Sequence, residues 1–173
     1  MKYLMLITLL LTNCAPKSHT PILSIPEKYQ EIYSRFLDDA KAQGVSLNIT
    51  DLIIQDADLY SAQENGKCTV TTNETPVISV NNNPNSPFYW DGATDPIREN
   101  LLYHELGHCI LYRMHDFNMN LINIGGDLTY IPESIMTPYL IDPYTYLQVR
   151  DQYIEELFKN KTNIIQGLTF SIR

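Results

Sequence analysis

The sequence predicts an α+β fold in which a small mixed sheet and two outer helices surround one central helix. The central helix, expected over residues 96–112, carries apolar residues on nearly all of its faces, which is typical of an element covered on most sides. Three segments rich in apolar and β-branched residues precede it and indicate the sheet. With 173 residues, of which 44% are hydrophobic, the chain is long enough for one domain with its own core.

The first outer helix is predicted to begin near Ser24 and to end at Gly44. Ser24 and Glu27 have the spacing of a capping box, and Pro26 is tolerated in a first helical turn. Glycine is the residue type that most often terminates a helix. Apolar residues repeat at helical spacing along the face that we expect to be buried, namely Tyr29, Ile32, Tyr33, Phe36, Leu37 and Ala40.

Strands are predicted at residues 45–55, 67–72 and 75–80, where β-branched and other apolar residues are concentrated. The polar stretch 56–66 lies between the first two strands. The EF-hand spacing is absent from it, so a solvated loop is predicted in preference to a calcium site. Its acidic residues are Asp56, Asp58 and Glu64.

The C-terminal half is predicted to contain the central helix, a long loop and a last helix. Asp95 is the expected N-cap of the central helix, and Pro96 suits its first position. Residues 115–130 are rich in asparagine and glycine and indicate a loop. Asp142 is expected to start the last helix, whose predicted buried face comprises Leu147, Tyr153, Ile154, Leu157 and Phe158. Alternating apolar residues in the tail are compatible with a short strand.

The N-terminus indicates export and membrane anchoring. One lysine and a short apolar run form a predicted signal peptide, residues 1–13, that is too short to span a bilayer. Cys14 follows and resembles the lipidated cysteine of a bacterial lipobox, although Asn13 stands where a small residue is usual, which leaves plain secretion as the alternative. Residues 14–24 would then be a tether, and 161–173 a C-terminal tail. No aspartate follows Cys14, a pattern that in bacterial lipoproteins points to the outer membrane, on the periplasmic or exposed face.

Charge and cysteine content agree with an exported protein. The net charge is −8 and no basic run occurs, so nucleic acid is an unfavourable partner. Without Cys14, the remaining cysteines are Cys68 and Cys109. In an oxidising compartment such a pair is a disulfide candidate, while two buried free thiols are the alternative.

The clearest chemical signal is the stretch His104-Glu105-Leu106-Gly107-His108. It reads H-E-x-x-H, and on a helix the two histidines, four residues apart, share one face and can bind one metal ion. Glu105 is then placed to hold a metal-activated water and to take its proton. Apart from His19 near the N-terminus, every histidine falls within the twelve residues 104–115, which makes His115 the candidate third ligand of a single catalytic zinc ion.

These residues resemble the metzincin zinc metallopeptidases, which carry H-E-x-x-H-x-x-G-x-x-H and a later tight turn with a methionine beneath the zinc. The resemblance implies a minimal metzincin-like domain over residues 25–160, with Met136 in the methionine turn. It also suggests Tyr139 as a weak candidate for holding the oxyanion. Six residues separate His108 from His115, one more than in metzincins, and Leu111 replaces the family glycine. Asp116 and Glu133 therefore remain rivals to His115 as third ligand.

The function expected from this resemblance is zinc-dependent hydrolysis of peptide bonds in a protein or peptide substrate. The alternative is a zinc-binding surface lipoprotein without catalytic activity. An enzyme should have three protein ligands and an open metal position, whereas a structural site should have four ligands and be closed. An enzyme should also offer a free strand edge to an extended substrate, and residues 76–80 are the expected edge.

Overall fold

Three α-helices and a five-stranded mixed sheet form the fold, which is α+β as predicted. The structure is a computed structural model that describes residues 19–159 and the backbone of residues 169–172. The helices are α1 (Glu27–Ala42), α2 (Asp95–Cys109) and α3 (Pro143–Lys159), with short 3₁₀ helices at Tyr60–Ala62 and Trp90–Gly92. The strands are β1 (Leu23–Ser24), β2 (Leu52–Ala57), β3 (Gly66–Thr69), β4 (Val77–Asn81), β5 (Met119–Ile124), β6 (Asp127–Pro132) and β7 (Thr169–Ile172).

The sheet has the order β1-β2-β4-β3-β7. The strands β1, β2 and β4 run parallel, while β3 is antiparallel to both β4 and β7. The strand β4 is therefore interior, with hydrogen-bonded partners on both sides. The prediction that residues 76–80 form a free edge is wrong, because a stretch of alternating apolar residues shows that a strand exists but not which neighbours it acquires.

The helix α2 lies at the centre of the core, as its composition predicted. It contacts α1, α3 and the strands β3, β4 and β7. Its residues from Glu99 to Cys109 are all buried. Glu99 accepts hydrogen bonds from Tyr146 and Arg150 of α3 and forms an ion pair with Arg35 of α1. This buried carboxylate is therefore fully partnered, and it joins the three helices at one point.

Two predicted helix starts differ from the structure by one to two residues. Ser24 belongs to β1, and α1 begins after Pro26 without a side-chain cap, so the capping box is wrong. Pairing of β1 with β2 holds the backbone of Ser24 extended. For α2 the N-cap is Thr94, and Asp95 is the first helical residue, where its carboxylate still favours the positive end of the helix. Gly44 follows α1 with φ of 77°, as expected for a terminating glycine.

The predicted first strand is shorter than expected, since β2 begins only at Leu52. The larger difference lies at residues 115–130, which are not a plain loop. They contain most of a β-hairpin formed by β5 and β6, whose turn uses the positive φ angles of Gly125 and Gly126. A glycine pair between two alternating segments is a hairpin signal, and the many asparagines concealed it.

In α3, Leu147 is exposed and not buried as predicted, whereas Tyr153, Ile154, Leu157 and Phe158 are buried.

The signal peptide and Cys14 lie outside the described residues, as does most of the predicted tail; of that tail, the backbone of β7 is described. Within the described part of the chain, none of the helices combines the length and the apolar character that a membrane span requires.

Candidate metal centre

The helix α2 supplies three residues of the centre. His104, Glu105 and His108 are each 0% exposed. His104 and His108 lie one turn apart on the same side of the helix, as the spacing predicts. Glu105 follows His104 and is rotated by about 100° around the helix axis, so its side chain leaves the helix on a different side from the two histidines. The sequence motif therefore becomes two adjacent imidazoles with a carboxylate beside them.

The third histidine joins the first two in the structure. The Nε2 atom of His104 lies 2.8 Å from Nε2 of His108 and 3.2 Å from Nε2 of His115. One ligand atom from each of the three residues lies within 4.8 Å of the others. Tetrahedral zinc with Zn–N distances of about 2.0–2.1 Å separates its nitrogens by roughly 3.3 Å. The cluster could therefore hold a metal ion with little adjustment of the side chains.

Backbone carbonyls orient the two helical imidazoles. Nδ1 of His104 lies 2.9 Å from the carbonyl oxygen of Ile135, and Nδ1 of His108 lies 2.6 Å from that of Arg113. Because a carbonyl oxygen only accepts, each Nδ1 must carry the proton and donate it. Each neutral ring then presents an unprotonated Nε2, the arrangement in which histidine binds a metal.

This orientation leaves two lone pairs directed at each other across 2.8 Å. Such a contact is repulsive unless a cation lies between the atoms. Burial lowers the pKa of His108 to about 3 and that of His104 well below its ordinary value, so a proton is a poor candidate at neutral pH. Neighbouring histidines lower both pKa values further. The donor set therefore fits a metal cation.

The chain reaches His115 through a turn that does not use glycine at Leu111. The helix ends at Cys109, and Tyr112 adopts a left-handed conformation with φ of 53°. The backbone N–H of Arg113 then donates to the carbonyl of Gly107 at 2.9 Å. The left-handed position thus falls on a tyrosine, one residue after Leu111, at a cost of about 1–2 kcal/mol.

Arg113 was not recognised from the sequence, and it holds this turn in place. Its side chain is only 4% exposed and forms an ion pair with Glu156, and it donates to the carbonyl of Leu157 at 2.9 Å. Its own carbonyl accepts from His108. Arg113 therefore connects the orientation of a candidate ligand to α3. A single arginine between a helix and a loop gave no signal in the sequence that distinguished it from a surface charge.

The rivals to His115 lie elsewhere. Oδ1 of Asp116 accepts the backbone N–H of Asn118 at 2.9 Å, which is a local turn interaction. Glu133 is exposed. Among the described residues, the ligand cluster contains neither of these carboxylates. His115 is partly exposed, so the cluster is buried on the helix side and accessible on the side of His115.

Met136 lies directly beneath the helix of the centre. Its side chain is fully buried, and a Cβ atom placed on Gly107 would be only 2.5 Å from its sulfur. The preceding carbonyl, of Ile135, accepts from His104, and the carbonyl of Met136 accepts the N–H of Asp116. The hydroxyl of Ser134 accepts the N–H of Met136 and donates to Glu156. The Ser134–Met136 segment therefore supports both the helix and the His115 loop.

Glu105 packs against β3. A Cβ atom on Gly66 would lie 2.7 Å from Oε1 of Glu105, so the carboxylate occupies the space that any larger residue at position 66 would need. Neither carboxylate oxygen makes a hydrogen bond of normal geometry to a described residue. Burial raises the pKa of Glu105 well above its usual value, and the nearby N–H of Cys68 reduces that shift only in part. A buried carboxyl with so little hydrogen bonding is unfavourable for stability and is typical of a group kept for chemistry.

The three remaining predicted residues are one tyrosine and two cysteines. Tyr139 is 64% exposed, so the structure does not bring its side chain into the buried part of the centre. Cys68 and Cys109 are joined in a disulfide, with Cα atoms 5.7 Å apart. This bond connects β3, which faces Glu105, to the last residue of α2. It therefore fixes the strand beside the carboxylate to the helix that carries it.

Comparison of the chain with protein families, with curated proteins and with solved structures found no match. The geometry of the three histidines and Glu105 is therefore the basis on which a function is proposed.

Proposed function

We propose that this protein is a zinc-dependent peptidase in which His104, His108 and His115 bind one zinc ion and Glu105 is the general base. One observation carries the proposal: Nε2 of His104 lies 2.8 Å from Nε2 of His108 and 3.2 Å from Nε2 of His115, while backbone carbonyls hold the Nδ1 atoms of His104 and His108. A helix that places a buried carboxyl, with no hydrogen bond of normal geometry, next to such a cluster combines the two groups that metal-assisted hydrolysis requires.

Zinc suits this donor set better than the other common divalent cations. Magnesium and calcium prefer oxygen ligands, whereas neutral imidazole suits zinc. Three imidazoles leave one of four tetrahedral positions for water or substrate, which is the pattern of catalytic zinc sites. The partly exposed His115 supports an open position on its side. A structural zinc site would instead use a fourth protein ligand, which the described residues do not supply within the cluster.

In the proposed reaction, a bound metal would polarise the scissile carbonyl and make a water molecule more acidic. Glu105 takes one proton from this water as its oxygen attacks the carbonyl carbon. The carbon–nitrogen bond then breaks, and Glu105 passes the proton to the leaving amine. Burial raises the pKa of Glu105, which helps it to keep the proton between the two steps, whereas the positive charge of a bound metal would lower that pKa and favour the ionised form that takes the proton.

We further propose that the arrangement is metzincin-like. The contact of Met136 with Gly107 and the hydrogen bond between Asp116 and Met136 support this reading. The left-handed Tyr112 shows how the longer spacing to His115 can be accommodated. Tyr139 is left without a catalytic role in this proposal, because its side chain is mostly exposed.

Export remains part of the proposal. The Cys68–Cys109 disulfide supports an oxidising compartment, and Cys14 would supply a lipid anchor to the bacterial outer membrane. The alternative of a non-catalytic zinc-binding surface protein requires a closed site, which the accessible His115 side does not favour.

The test is metal analysis followed by a cleavage assay on the purified mature chain. We expect about one zinc ion per chain and cleavage of members of a broad peptide library. A chelator should abolish cleavage, and added zinc should restore it. A protein that binds one zinc ion and cleaves no peptide would refute the enzymatic proposal and favour the non-catalytic alternative.

A further inference from the structure

The β5–β6 hairpin carries an unusual concentration of exposed apolar side chains on one face. In an antiparallel pair, directly opposed residues lie on the same face, and the register places Met119, Leu121, Leu128 and Tyr130 together. Their side chains are 51%, 50%, 71% and 69% exposed, respectively. We call these four residues the hairpin face. Contiguous exposed apolar residues of this size indicate an interaction surface.

The opposite face of the hairpin explains why this exposure is fixed. Ile131 is 4% exposed and belongs to the core, and Ile122 and Ile124 pack against that core. The two faces alternate along the strands, so burying these isoleucines necessarily turns the hairpin face towards solvent. A one-residue shift that buried the hairpin face would expose Ile131. The orientation is therefore determined by the sequence.

The hairpin face continues directly from the metal centre. The chain runs from His115 through Phe117 into β5, and β6 leads into the segment that contains Met136. The ring of Phe117, which is 72% exposed, lies 6.3 Å from the ring of His115. The N–H of Glu133 donates to the carbonyl of Asn118 and closes the base of the hairpin. A polypeptide bound at the open side of His115 would thus meet exposed apolar residues immediately beside it.

The charges around the hairpin define the partner further. No lysine or arginine occurs between Met114 and Val149, whereas Asp116, Asp127 and Glu133 lie at the two ends of the hairpin. An anionic membrane surface is therefore an unfavourable partner. Each strand has six residues and extends about 20 Å, which matches an extended peptide of similar length. Charge complementarity favours a peptide whose apolar segment is flanked by basic residues.

We propose that the hairpin face binds an apolar segment of a polypeptide substrate, flanked by lysine or arginine, next to the metal centre. This inference rests on the proposed peptidase function and names the substrate class for the same site. The hairpin face contributes to substrate binding, while the chemistry remains with Glu105 and the histidines.

The test compares Leu128→Asp with Leu147→Asp in the zinc-loaded mature chain. Leu147 is a matched control, because it is 58% exposed and lies on α3 outside the hairpin. The probes are quenched peptides with an apolar hexamer flanked either by lysines or by glutamates. For the lysine-flanked peptide, Leu128→Asp should raise KM about tenfold, equivalent to about 1.4 kcal/mol, with kcat within about twofold of the parent. Leu147→Asp should change neither constant, and the parent should prefer the lysine-flanked peptide.

A binding measurement separates failure of this inference from failure of the proposed function. The fluorescence anisotropy of the labelled lysine-flanked peptide is followed with zinc-loaded Glu105→Gln, with and without Leu128→Asp. Hairpin-dependent binding by a protein whose parent cleaves no peptide would refute the peptidase but support the surface. Equal cleavage and binding by the parent and Leu128→Asp would overturn the surface and leave the peptidase intact. Dimerisation, or binding to phosphatidylglycerol vesicles, that Leu128→Asp abolishes would assign the hairpin face to a second copy or to lipid and overturn the inference.

Discussion

An acidic cluster and the histidine cluster differ in what surrounds the side-chain oxygens and nitrogens that could bind a metal ion. The acidic cluster comprises Asp56, Asp58 and Asp91 with Asn82 and Asn83. Lys28 donates to Asp56 at 2.7 Å, Tyr29 donates to the same carboxylate, and Asn83 donates to Asp58 at 2.9 Å. Asp91 accepts from Asn82 at 2.9 Å. Every carboxylate in this cluster is therefore satisfied by neighbours within the protein.

The histidine cluster has the opposite character. The Nδ1 atoms of His104 and His108 have backbone partners, while Nε2 of His104 lies 2.8 Å from Nε2 of His108 and 3.2 Å from Nε2 of His115. The adjacent Glu105 also has no hydrogen-bond partner of normal geometry among the described residues. The comparison teaches that a binding site is marked by ligand atoms that converge on one point and are held there by hydrogen-bonded neighbours. The number of acidic or basic residues in a cluster is a weaker indication.

The strongest test of this contrast is Glu105→Gln. The amide keeps nearly the same shape but cannot take a proton, and positioned proton transfer contributes about 10²–10⁴-fold to rate. We expect peptide cleavage to fall by at least two orders of magnitude while zinc content and fold are retained. The measurement is kcat/KM on a cleaved library peptide, with circular dichroism and metal analysis as controls. Cleavage at the parental rate would remove Glu105 from the mechanism.

The next largest effect is expected for His115→Ala. Loss of a direct ligand should weaken zinc binding by more than the roughly 10–100-fold that loss of an outer-shell partner costs. The measurement is a competition titration against a zinc-binding dye. Asp116→Asn and Glu133→Gln are the matched controls and should keep the parental affinity. If His115→Ala binds zinc as the parent does and Glu133→Gln does not, the third ligand has been assigned to the wrong residue.

The pH dependence of stability should distinguish the two clusters. Burial lowers the pKa of His108 from 6.5 to about 3, so the unfolded chain binds a proton that the folded state does not between these values. The stability of the metal-free protein should therefore fall as pH drops from 6.5 towards 3, by about 1.4 kcal/mol per pH unit for one such group.

Burial opposes ionisation of Asp56, but hydrogen bonds from Lys28 and Tyr29 outweigh it, and its pKa lies below the ordinary 3.8. The contribution of Asp56 is therefore complete above pH 3.8 and is lost only at lower pH.

The pH dependence is measured by urea unfolding with chelator in the Glu105→Gln background, because the raised pKa of Glu105 changes stability with pH in the direction opposite to His108. His108→Asn should lose part of the slope between pH 6.5 and 4. An unchanged slope would show that His108 is protonated in the folded, metal-free state.

The smallest effect is expected for Asp58→Asn in the acidic cluster. Asp58 is exposed and is held by Asn83 and by the N–H of Tyr60. Its replacement should leave the free energy of unfolding and the zinc content nearly unchanged, because a substitution at an exposed site removes few contacts. Added calcium should not raise the melting temperature of either protein. A calcium-dependent increase in the parent that Asp58→Asn abolishes would show that the acidic cluster is a binding site after all.

The sequence predicted those parts of the molecule that depend on local spacing. Helical spacing of apolar residues identified α1 and α3, and a helix-start signal followed by apolar residues on nearly all faces identified α2. The four-residue spacing of His104 and His108 placed both on one face of α2. The clustering of histidines in the sequence also indicated His115 as their neighbour, because the chain offers no other histidine nearby. Local patterns carry this information because a helix relates residues three to four positions apart without help from the rest of the fold.

Features that depend on distant partners could not be predicted in this way. The interior position of β4 follows from pairing with both β2 and β3, and the extended Ser24 follows from pairing of β1 with β2. The supporting role of Arg113 depends on Glu156, 43 residues later in the chain. The Ile135 carbonyl that orients His104 carries no side-chain signal at all. In each case a contact between residues distant in sequence decides which of the locally possible structures forms.

The short stretch that contains all three candidate ligands has a consequence for how a metal ion could be acquired. A metal ion bound by His104, His108 and His115 closes a ring of only twelve residues, and the entropic cost of closing a chain segment grows with its length. The Arg113 carbonyl lies inside this ring, whereas Ile135 and Met136 lie well outside it. A helix of fifteen residues is only marginally stable alone, and a metal bridging two of its turns would stabilise it. A metal ion that binds these three histidines would therefore favour the folding of α2 with little help from the sheet, the hairpin or α3.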